Sequence, residues 1–443
     1  MTRYFYKSML LFICFSPLFI SGQNNTITLT LQQAIDLGVK QNLMRKVSQM
    51  EIEKKKEKIN EYMGNLFPNI KASGTYSKNI ESPVIFMPAG PPFYGSILKI
   101  GAENSYVGAL SFGLPLFNMS IYNAIALGKK DLELSKEKLR ENELELVSNI
   151  KKTYYNLLLI NESYSVMNKS YLHAKENVDN IQKMNKQGLV SDYDFLRAQV
   201  QVENIRPNLI QLKNSYNNVM GLFKVLLNID DSIHVTIDTT LIYDENIFSN
   251  INKDSLMAME NNTTLKQLEI QKQLLKAQYN LTKGAMFPTL TAIGNYQYQS
   301  QSEDYKFNDY KWVKSSLVGL QLNVPIFAGL TIRRQMKQVR ITSDELSLQQ
   351  EFTRRTLQTQ INTSISNMQV AQEKLNWALQ NMNMAEKAYS IAKTRYNTGQ
   401  STLLELNDAD NALTQAMLNH IQAKFEYLNA SFDLEKLLGN SLK

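Results

Sequence analysis

The sequence repeats itself at the scale of half its length. Leu66-Phe67-Pro68 returns about 220 residues later as Met286-Phe287-Pro288, a spacing far longer than the unit of a solenoid. Leu114-Pro115-Leu116-Phe117 returns in the same way as Val324-Pro325-Ile326-Phe327. The chain therefore contains two copies of one half-protein, and any fold must accommodate the same plan twice.

Glycine-centred segments make the second part of the match. The segment GLVSDYDFL begins at Gly188, and GQSTLLELN begins at Gly399. No linker rich in Pro, Gly and Ser separates the copies, so one intertwined architecture is favoured over independent domains. We divide the chain into a leader at 1–22, a first structural repeat at 23–230 and a second at 231–443.

The first 22 residues are typical of a secretory signal peptide. Arg3 and Lys7 precede an apolar run from Met9 to Ile20, and small residues follow before Gln23. A retained anchor helix is the alternative, although the run is short for a bilayer span. The only cysteine, Cys14, lies in this leader, so an exported chain would have neither disulfides nor thiolate metal sites.

The net charge is +7, spread over a long chain with pairs such as Lys129-Lys130 and Arg354-Arg355. A solvated helix face explains these pairs better than nucleic acid does, because no nucleic-acid-binding signature accompanies them. We therefore predict no nucleic-acid partner.

Long helices with a seven-residue apolar period are predicted in both copies. One helix is expected from about residue 118 to 187, on the order of 100 Å long at 1.5 Å per residue. Apolar residues that recur every seven positions form a stripe along a helix, and such stripes are typical of a coiled-coil seam. A coiled-coil spacer or surface adhesin is one interpretation of this pattern. The first stripe consists of Leu139, Leu146, Thr153, Ile160, Met167, Ala174 and Ile181.

Two strands of about ten residues are predicted in each copy between the proline motifs, a length suited to tilted membrane strands. The last one alternates most clearly, with Val318, Leu320 and Leu322 on one face. Nearby aromatic residues fit interfacial girdles, or alternatively the core of a soluble sheet. Four strands cannot close a barrel, and an open edge cannot face lipid, so several chains must share one barrel. The predicted strands span 70–80, 105–114, 289–300 and 315–324.

Together these features resemble the TolC-type outer-membrane efflux family (outer membrane factors) over nearly the whole mature chain. The resemblance is based on the duplicated proline motifs, two strands per half and the glycine turns. It implies a mainly α protein with membrane β: long coiled-coil hairpins, and four strands per chain in a twelve-stranded barrel shared by a homotrimer. The expected place is the outer membrane of a Gram-negative bacterium, in contact with its lipid and extending into the periplasm.

The resemblance also implies a function, which is an exit duct for tripartite efflux or type I secretion. The partners would be a periplasmic adaptor (membrane fusion protein) and an inner-membrane pump of the RND, ABC or MFS type. Drug efflux, metal efflux and protein secretion all use such ducts, so the pump sets the cargo. A structural coiled-coil surface protein without a conducting path is the alternative.

In the family, the hairpin tips close the periplasmic end and contact the adaptor. The tip turns would be Gly188 and Gly399. By position, Tyr396 resembles the tethering tyrosine, and Asp194 with Tyr193 resembles its partners. Ser401 stands where the family often has arginine. The tether is therefore expected to lack a charge-assisted bond and to be looser.

Glu405 and Asp408 match the family's constricting carboxylates, and a three-fold axis would gather them around one opening that favours cations. A plainer explanation exists for Asp194 and Glu405, since both stand third in apparent capping boxes. Asp408 has no such explanation. Separately, the apolar loop 83–93 could plug the outer mouth or be a plain extracellular loop.

No catalytic constellation is found in the sequence. His173, His234 and His420 are far apart along the chain, and Gly128-Lys129-Lys130 lacks the rest of a phosphate loop. We predict no enzyme activity, no cofactor and no metal site. Energy for transport would then come from a partner.

Overall fold

The computed structural model describes residues 26–92, 95, 97–238, 259 and 261–439. The predicted signal peptide at 1–22, Cys14 and part of the predicted plug loop 83–93 lie outside these ranges.

Helices dominate the described part of the chain, and the longest occur as two hairpins. The predicted helix 118–187 is confirmed as α3, of 68 residues, and α6 in the second copy has 67. Among the described helices, none combines the length and apolar character needed to cross a bilayer. The helices are α1 (Leu31–Gln41), α2 (Leu43–Gly64), α3 (Met119–Lys186), α4 (Asp192–Leu227), α5 (Thr263–Gly284), α6 (Thr331–Asn397) and α7 (Leu403–Leu437).

All four predicted strands are confirmed, as β2, β5, β7 and β8. They form one antiparallel sheet in the order β2-β5-β7-β8, so the two copies meet at the β5–β7 pair. Four shorter strands were not predicted: β1 pairs with β6 in parallel, and β3 pairs with β4. The strands are β1 (Thr26–Leu29), β2 (Asn69–Lys78), β3 (Val84–Phe86), β4 (Ile97–Lys99), β5 (Asn104–Phe117), β6 (His234–Ile237), β7 (Thr289–Ser302) and β8 (Val313–Asn323).

The register of the four-stranded sheet separates an apolar face from a polar one. Partners across the sheet share a face, as in the row Ile70–Phe112–Gly294–Val318. Because side chains alternate along a strand, the next residue of each strand points to the opposite face. The mainly apolar face carries Ile70, Ala72, Tyr76, Tyr106, Leu110, Phe112, Ala292, Tyr296, Tyr298, Val318, Leu320 and Leu322, with Lys78, Asn104, Ser300, Lys314 and Ser316 near one end; the mainly polar face carries Lys71, Ser73, Thr75, Ser111, Thr291, Asn295, Gln297, Gln299, Ser315, Gln321 and Asn323, with Val107, Ala109, Ile293, Val313 and Leu317 among them.

Aromatic side chains cluster at the end of the sheet away from the long helices. The ring of Tyr106 lies 5.0 Å from that of Tyr76 and 5.2 Å from that of Phe307. Tyr298 stacks on Trp312 with 5.1 Å between ring centroids. These contacts tie the loop between β7 and β8 to the apolar face.

The main core lies where the helical hairpin of the first copy meets the β1–β6 pair. Tyr154, Phe223, Ile150 and Leu227 are fully buried there. The Tyr154 hydroxyl donates to the carbonyl of Asp238 at 2.9 Å, and burial raises the pKa of this hydroxyl to about 12. It stays a donor over the physiological range and connects α3 to the chain after β6.

Helix α1 packs against this core at unusually short range. A Cβ added at Gly38 would lie 2.3 Å from Cδ1 of Ile150 on α3. The helix starts at a reciprocal capping box, in which the Thr30 hydroxyl accepts from the Gln33 amide and the Gln33 side chain accepts from the Thr30 amide. Cap and glycine together fix where the N-terminal segment crosses the long helix.

A buried ion pair joins the two copies. Lys151 on α3 donates to Glu435 on α7 at 2.7 Å, and both side chains are more than nine-tenths buried. The adjacent pair, Lys152 with Asp433, is much more exposed. Because a buried charge is costly without its partner, the inner pair makes the register of α3 on α7 specific.

We expect Lys151→Ala to destabilise the protein by about 3–5 kcal/mol, because Glu435 would remain charged and buried. Lys151→Met combined with Glu435→Leu should recover most of that loss. The free energy of unfolding, measured by denaturant titration in detergent, checks both values. Lys152→Ala is the matched control and should cost less than about 1 kcal/mol; an equal cost for the two alanine variants would contradict the prediction.

Candidate functional site

The first hairpin tip is a glycine turn between α3 and α4. Gly188 adopts φ +72°, and the Leu189 amide donates to the carbonyl of Met184 at 3.0 Å. This left-handed turn ends α3 as a Schellman-type cap. The Ser191 hydroxyl then accepts from the Asp194 amide at 3.2 Å and starts α4.

The second tip repeats this geometry between α6 and α7. Gly399 has φ +71°, and the Gln400 amide donates to the carbonyl of Arg395 at 2.8 Å. The Thr402 hydroxyl accepts from the Glu405 amide at 3.3 Å. Two copies of one turn therefore bring the ends of four helices to the same extremity of the chain.

A cleft of about 340 Å³ lies between the two tips. Tyr396 from one hairpin and Asp194 from the other both line it, so these two sequence-predicted residues are brought together. Within the described part of the chain no hydrogen bond joins them. Arg197, one turn after Asp194, lines the same cleft and supplies a cation that sequence reasoning missed.

The two capping residues also have side-chain partners of their own. The Ser191 hydroxyl donates to the Asp194 carboxylate at 2.6 Å, and the Ser401 hydroxyl donates to the Glu405 carboxylate at 2.8 Å. Ser401 thus orients Glu405 within its own hairpin. The predicted capping boxes are therefore only half formed: Ser191 and Thr402 accept from the Asp194 and Glu405 amides, but the two carboxylates accept from serine hydroxyls and not from the N-cap backbone amides.

The other predicted tip residues are exposed. Tyr193 is 70% exposed, and Asp408 lies on the exposed side of α7, one turn beyond Glu405. Both side chains are therefore available for contacts outside the single chain. Their predicted roles in the tether and the constriction remain predictions.

A polar contact between the hairpins, about two turns into α7 and about four turns before the end of α3, was not predicted. Asp410 on α7 accepts from the Ser170 hydroxyl at 3.2 Å and lies 3.5 Å from Nδ1 of His173 on α3. His173 in turn stacks on Tyr389 of α6. Burial, followed by the charges of Asp410 and Glu176, raises the pKa of the Tyr389 hydroxyl.

The three histidines are far apart along the chain, but two of them, His173 and His420, line one cleft of about 290 Å³. Their distance in sequence concealed this, because α3 and α7 come from different copies. The seven-residue stripes of α3 and α7 show which side of each helix packs against another helix. They do not show that α3 and α7 pack against each other. In the described residues no group of three or more His, Cys, Asp or Glu is arranged to hold a metal ion.

Comparison with solved structures shows the same fold in outer membrane channels. The Campylobacter jejuni CmeC channel matches with a TM-score of 0.71 at 19% identity, over 92% of this chain and 85% of that one. VceC from Vibrio cholerae matches with a TM-score of 0.72 at 14% identity, over 93% and 97%.

Sequence comparison agrees. Outer membrane protein TolC of Escherichia coli is 22% identical over 352 residues, which is 76% of this chain and 70% of that protein. A probable efflux pump outer membrane protein, TtgC of Pseudomonas putida, is 20% identical over 417 residues, or 92% and 82%. The family model for outer membrane efflux proteins matches residues 46–220 and 256–440. With one matched segment in each repeat, and most of its length covered, the chain belongs to the outer membrane efflux protein family and lies in the outer membrane of a Gram-negative bacterium.

Proposed function

We propose that three copies of this chain form a passive exit duct, in which a shared β-barrel crosses the outer membrane and the long helices continue it as a tunnel into the periplasm. The tunnel is gated at the hairpin tips. An inner-membrane pump and a periplasmic adaptor supply the energy and the cargo. Membership of the outer membrane efflux family supports a duct of this general kind.

The open edges of the four-stranded sheet support sharing of the barrel. In the described chain β2 and β8 are the outer strands, and each leaves one edge without a strand partner. An unpaired edge in hydrocarbon would cost several kcal/mol for each unsatisfied group. If β2 of one chain pairs with β8 of a neighbouring chain, both open edges disappear. Repeating this pairing around an axis closes a barrel.

The two faces of the sheet support a conducting path. In a closed barrel one face meets lipid and the other lines the interior. The apolar face carries Leu320 and Val318 and fits lipid, while the face with Gln297, Gln299 and Gln321 fits a water-filled lumen. A structural spacer would not require a polar lining on that side.

The contents of the tip cleft support a gate. Tyr396 and Asp194 come from different hairpins, and Arg197 lies beside them. Small movements of one hairpin on the other would bring these groups within hydrogen-bonding distance or separate them. Glu405 and Asp408 lie on α7, in the same hairpin as Tyr396. Movement of that hairpin would therefore also move the proposed acidic constriction.

A charge on the apolar face should impair membrane assembly, because that face is assigned to lipid. Leu320→Arg is expected to cost about 2–4 kcal/mol near the bilayer midplane. Gln321→Arg, one residue along on the polar face, is the matched control and should assemble normally. Heat-modifiable trimer in outer-membrane extracts, compared on gels, checks both; normal assembly of Leu320→Arg would overturn the assignment of faces.

Neutralising the constriction should abolish its preference for cations. We expect the wild-type protein in planar bilayers to show a small cation-selective current that divalent cations block. Glu405→Gln/Asp408→Asn should lose both the selectivity and the block, because an acidic ring is what attracts the ions.

The control for that measurement is Glu373→Gln/Glu386→Gln, which removes two exposed carboxylates from α6 away from the tip. It should conduct like the wild type. Complete absence of current from well-folded trimers would instead favour the structural coiled-coil protein without a path.

Tyr396→Phe should raise the conductance of the closed channel, because it removes a hydroxyl from the cleft between the hairpins. Tyr389→Phe is the matched control, since this hydroxyl lies farther along the same helix, where the ring stacks on His173. Single-channel recording of both variants tests the tether. Equal conductance for Tyr396→Phe and the wild type would count against the role of Tyr396.

A further inference from the structure

We infer that the groove between α5 and α6 binds the anionic headgroups of phospholipids in the periplasmic leaflet of the outer membrane. The ligand class is a phosphate diester on a lipid. This inference depends on the outer-membrane location and is separate from the proposed gate.

The groove is lined by cations on both sides. A cleft of about 410 Å³ opens between the helices, with Lys272 and Lys276 from α5 and Arg340 from α6 along its walls. Tyr279 and Ser343 add hydroxyl groups, and Arg340 lies over the Tyr279 ring at 5.8 Å. Three cations and two hydroxyls form a donor set that suits phosphate.

Further cations extend the groove towards the sheet. Arg333 and Lys337 share the face of Arg340 by helical spacing, and Lys283 lies two turns beyond Lys276 on α5. All three are exposed. Two carboxylates, Glu269 and Asp344, lie at the end farther from the strands. The six cations from Lys272, Lys276, Lys283, Arg333, Lys337 and Arg340 therefore outnumber the acids.

None of these six cations forms a salt bridge within the residues that the structure describes. The matching groove of the first copy differs, since Lys55 pairs with Asp131 at 2.8 Å and Lys130 pairs with Glu133 at 2.7 Å. Moreover, Asn123 and Leu127 occupy the positions that match Arg333 and Lys337. At the positions that match the six cations, the first copy keeps only Lys56 and Lys130, so the duplication provides an internal comparison.

The position of the groove selects a lipid headgroup over other anions. Exposed apolar side chains mark the junction between strands and helices, including Ile326 at 94% and Phe327 at 80%. The cations begin directly beyond them: Lys337 lies about 9 Å into α6 at 1.5 Å per residue. The order of strand, exposed apolar band and cations matches hydrocarbon, interface and anionic headgroups.

Lipid binding to purified, delipidated full-length protein tests the inference. Native mass spectrometry would compare phosphatidylglycerol, which is anionic, with zwitterionic phosphatidylcholine. One cation near an anionic surface changes affinity by about fivefold. Lys276→Gln/Lys337→Gln/Arg340→Gln should therefore lower the apparent affinity for phosphatidylglycerol at least about tenfold and leave phosphatidylcholine binding unchanged.

Two further variants serve as controls. Lys54→Gln/Lys56→Gln/Lys129→Gln removes three exposed cations from the first copy and should retain the wild-type preference. Lys276→Arg/Lys337→Arg/Arg340→Lys keeps the charge of the groove and should also retain the preference for phosphatidylglycerol. This variant separates a charge effect from misfolding.

Three outcomes would overturn the inference. The first is an equal loss of affinity for phosphatidylglycerol in the groove variant and in the first-copy control variant. The second is a wild-type protein without preference for phosphatidylglycerol. The third is displacement of the lipid by inorganic phosphate at the same concentration. The last would identify a site for free phosphate. A protein that conducts normally but shows no lipid preference would disprove this inference alone and leave the proposed duct intact.

Discussion

Backbone hydrogen bonding at the sheet edges is the constraint on which the proposed assembly depends. Among the residues that the structure describes, strands β2 and β8 each have one edge whose N–H and C=O groups meet no partner strand. Water would satisfy these groups at the surface of a soluble sheet, but hydrocarbon cannot. For a protein of the outer membrane the chain is therefore incomplete alone. In the proposed assembly, pairing of these edges between neighbouring chains closes the barrel, and one face of the sheet then lines its interior.

Duplication of the half-protein joins two strand pairs into one sheet but still leaves two open edges. Each copy contributes one antiparallel pair, and the β5–β7 contact joins the pairs into four strands. The copies are then free to diverge where closure does not restrain them. The groove between α5 and α6 carries cations without a salt bridge to any residue that the structure describes, whereas its counterpart carries Lys55 paired with Asp131. The two halves thus differ in the charge of one surface, within the same arrangement of helices and strands.

The parts predictable from sequence were those that local pattern determines. The long helix 118–187, the four long strands and the glycine turns follow from seven-residue period, alternation and turn chemistry, each readable within a short window. Short strands such as β1 and β6 were missed, because four residues carry little periodicity. Contacts between copies were also missed: Lys151 with Glu435, and Asp410 with His173, join residues far apart in sequence. The tip cleft was predicted in its residues Tyr396 and Asp194, but not in Arg197.

The side chains at the tips indicate which interactions would favour the open state of the proposed gate and which would favour the closed state. Ser401 donates one hydrogen bond to Glu405, which orients the carboxylate without cancelling its charge. An arginine at that position would neutralise it. In a trimer, the uncancelled carboxylates of Glu405 and Asp408 would repel across the axis, and at about 10 Å this repulsion amounts to roughly 0.4–1.7 kcal/mol per pair, depending on the effective dielectric. Closure then rests on contacts between hairpins and on bound cations. In the proposed channel, the carboxylates assigned to cation selection would thereby also set how readily the tunnel opens.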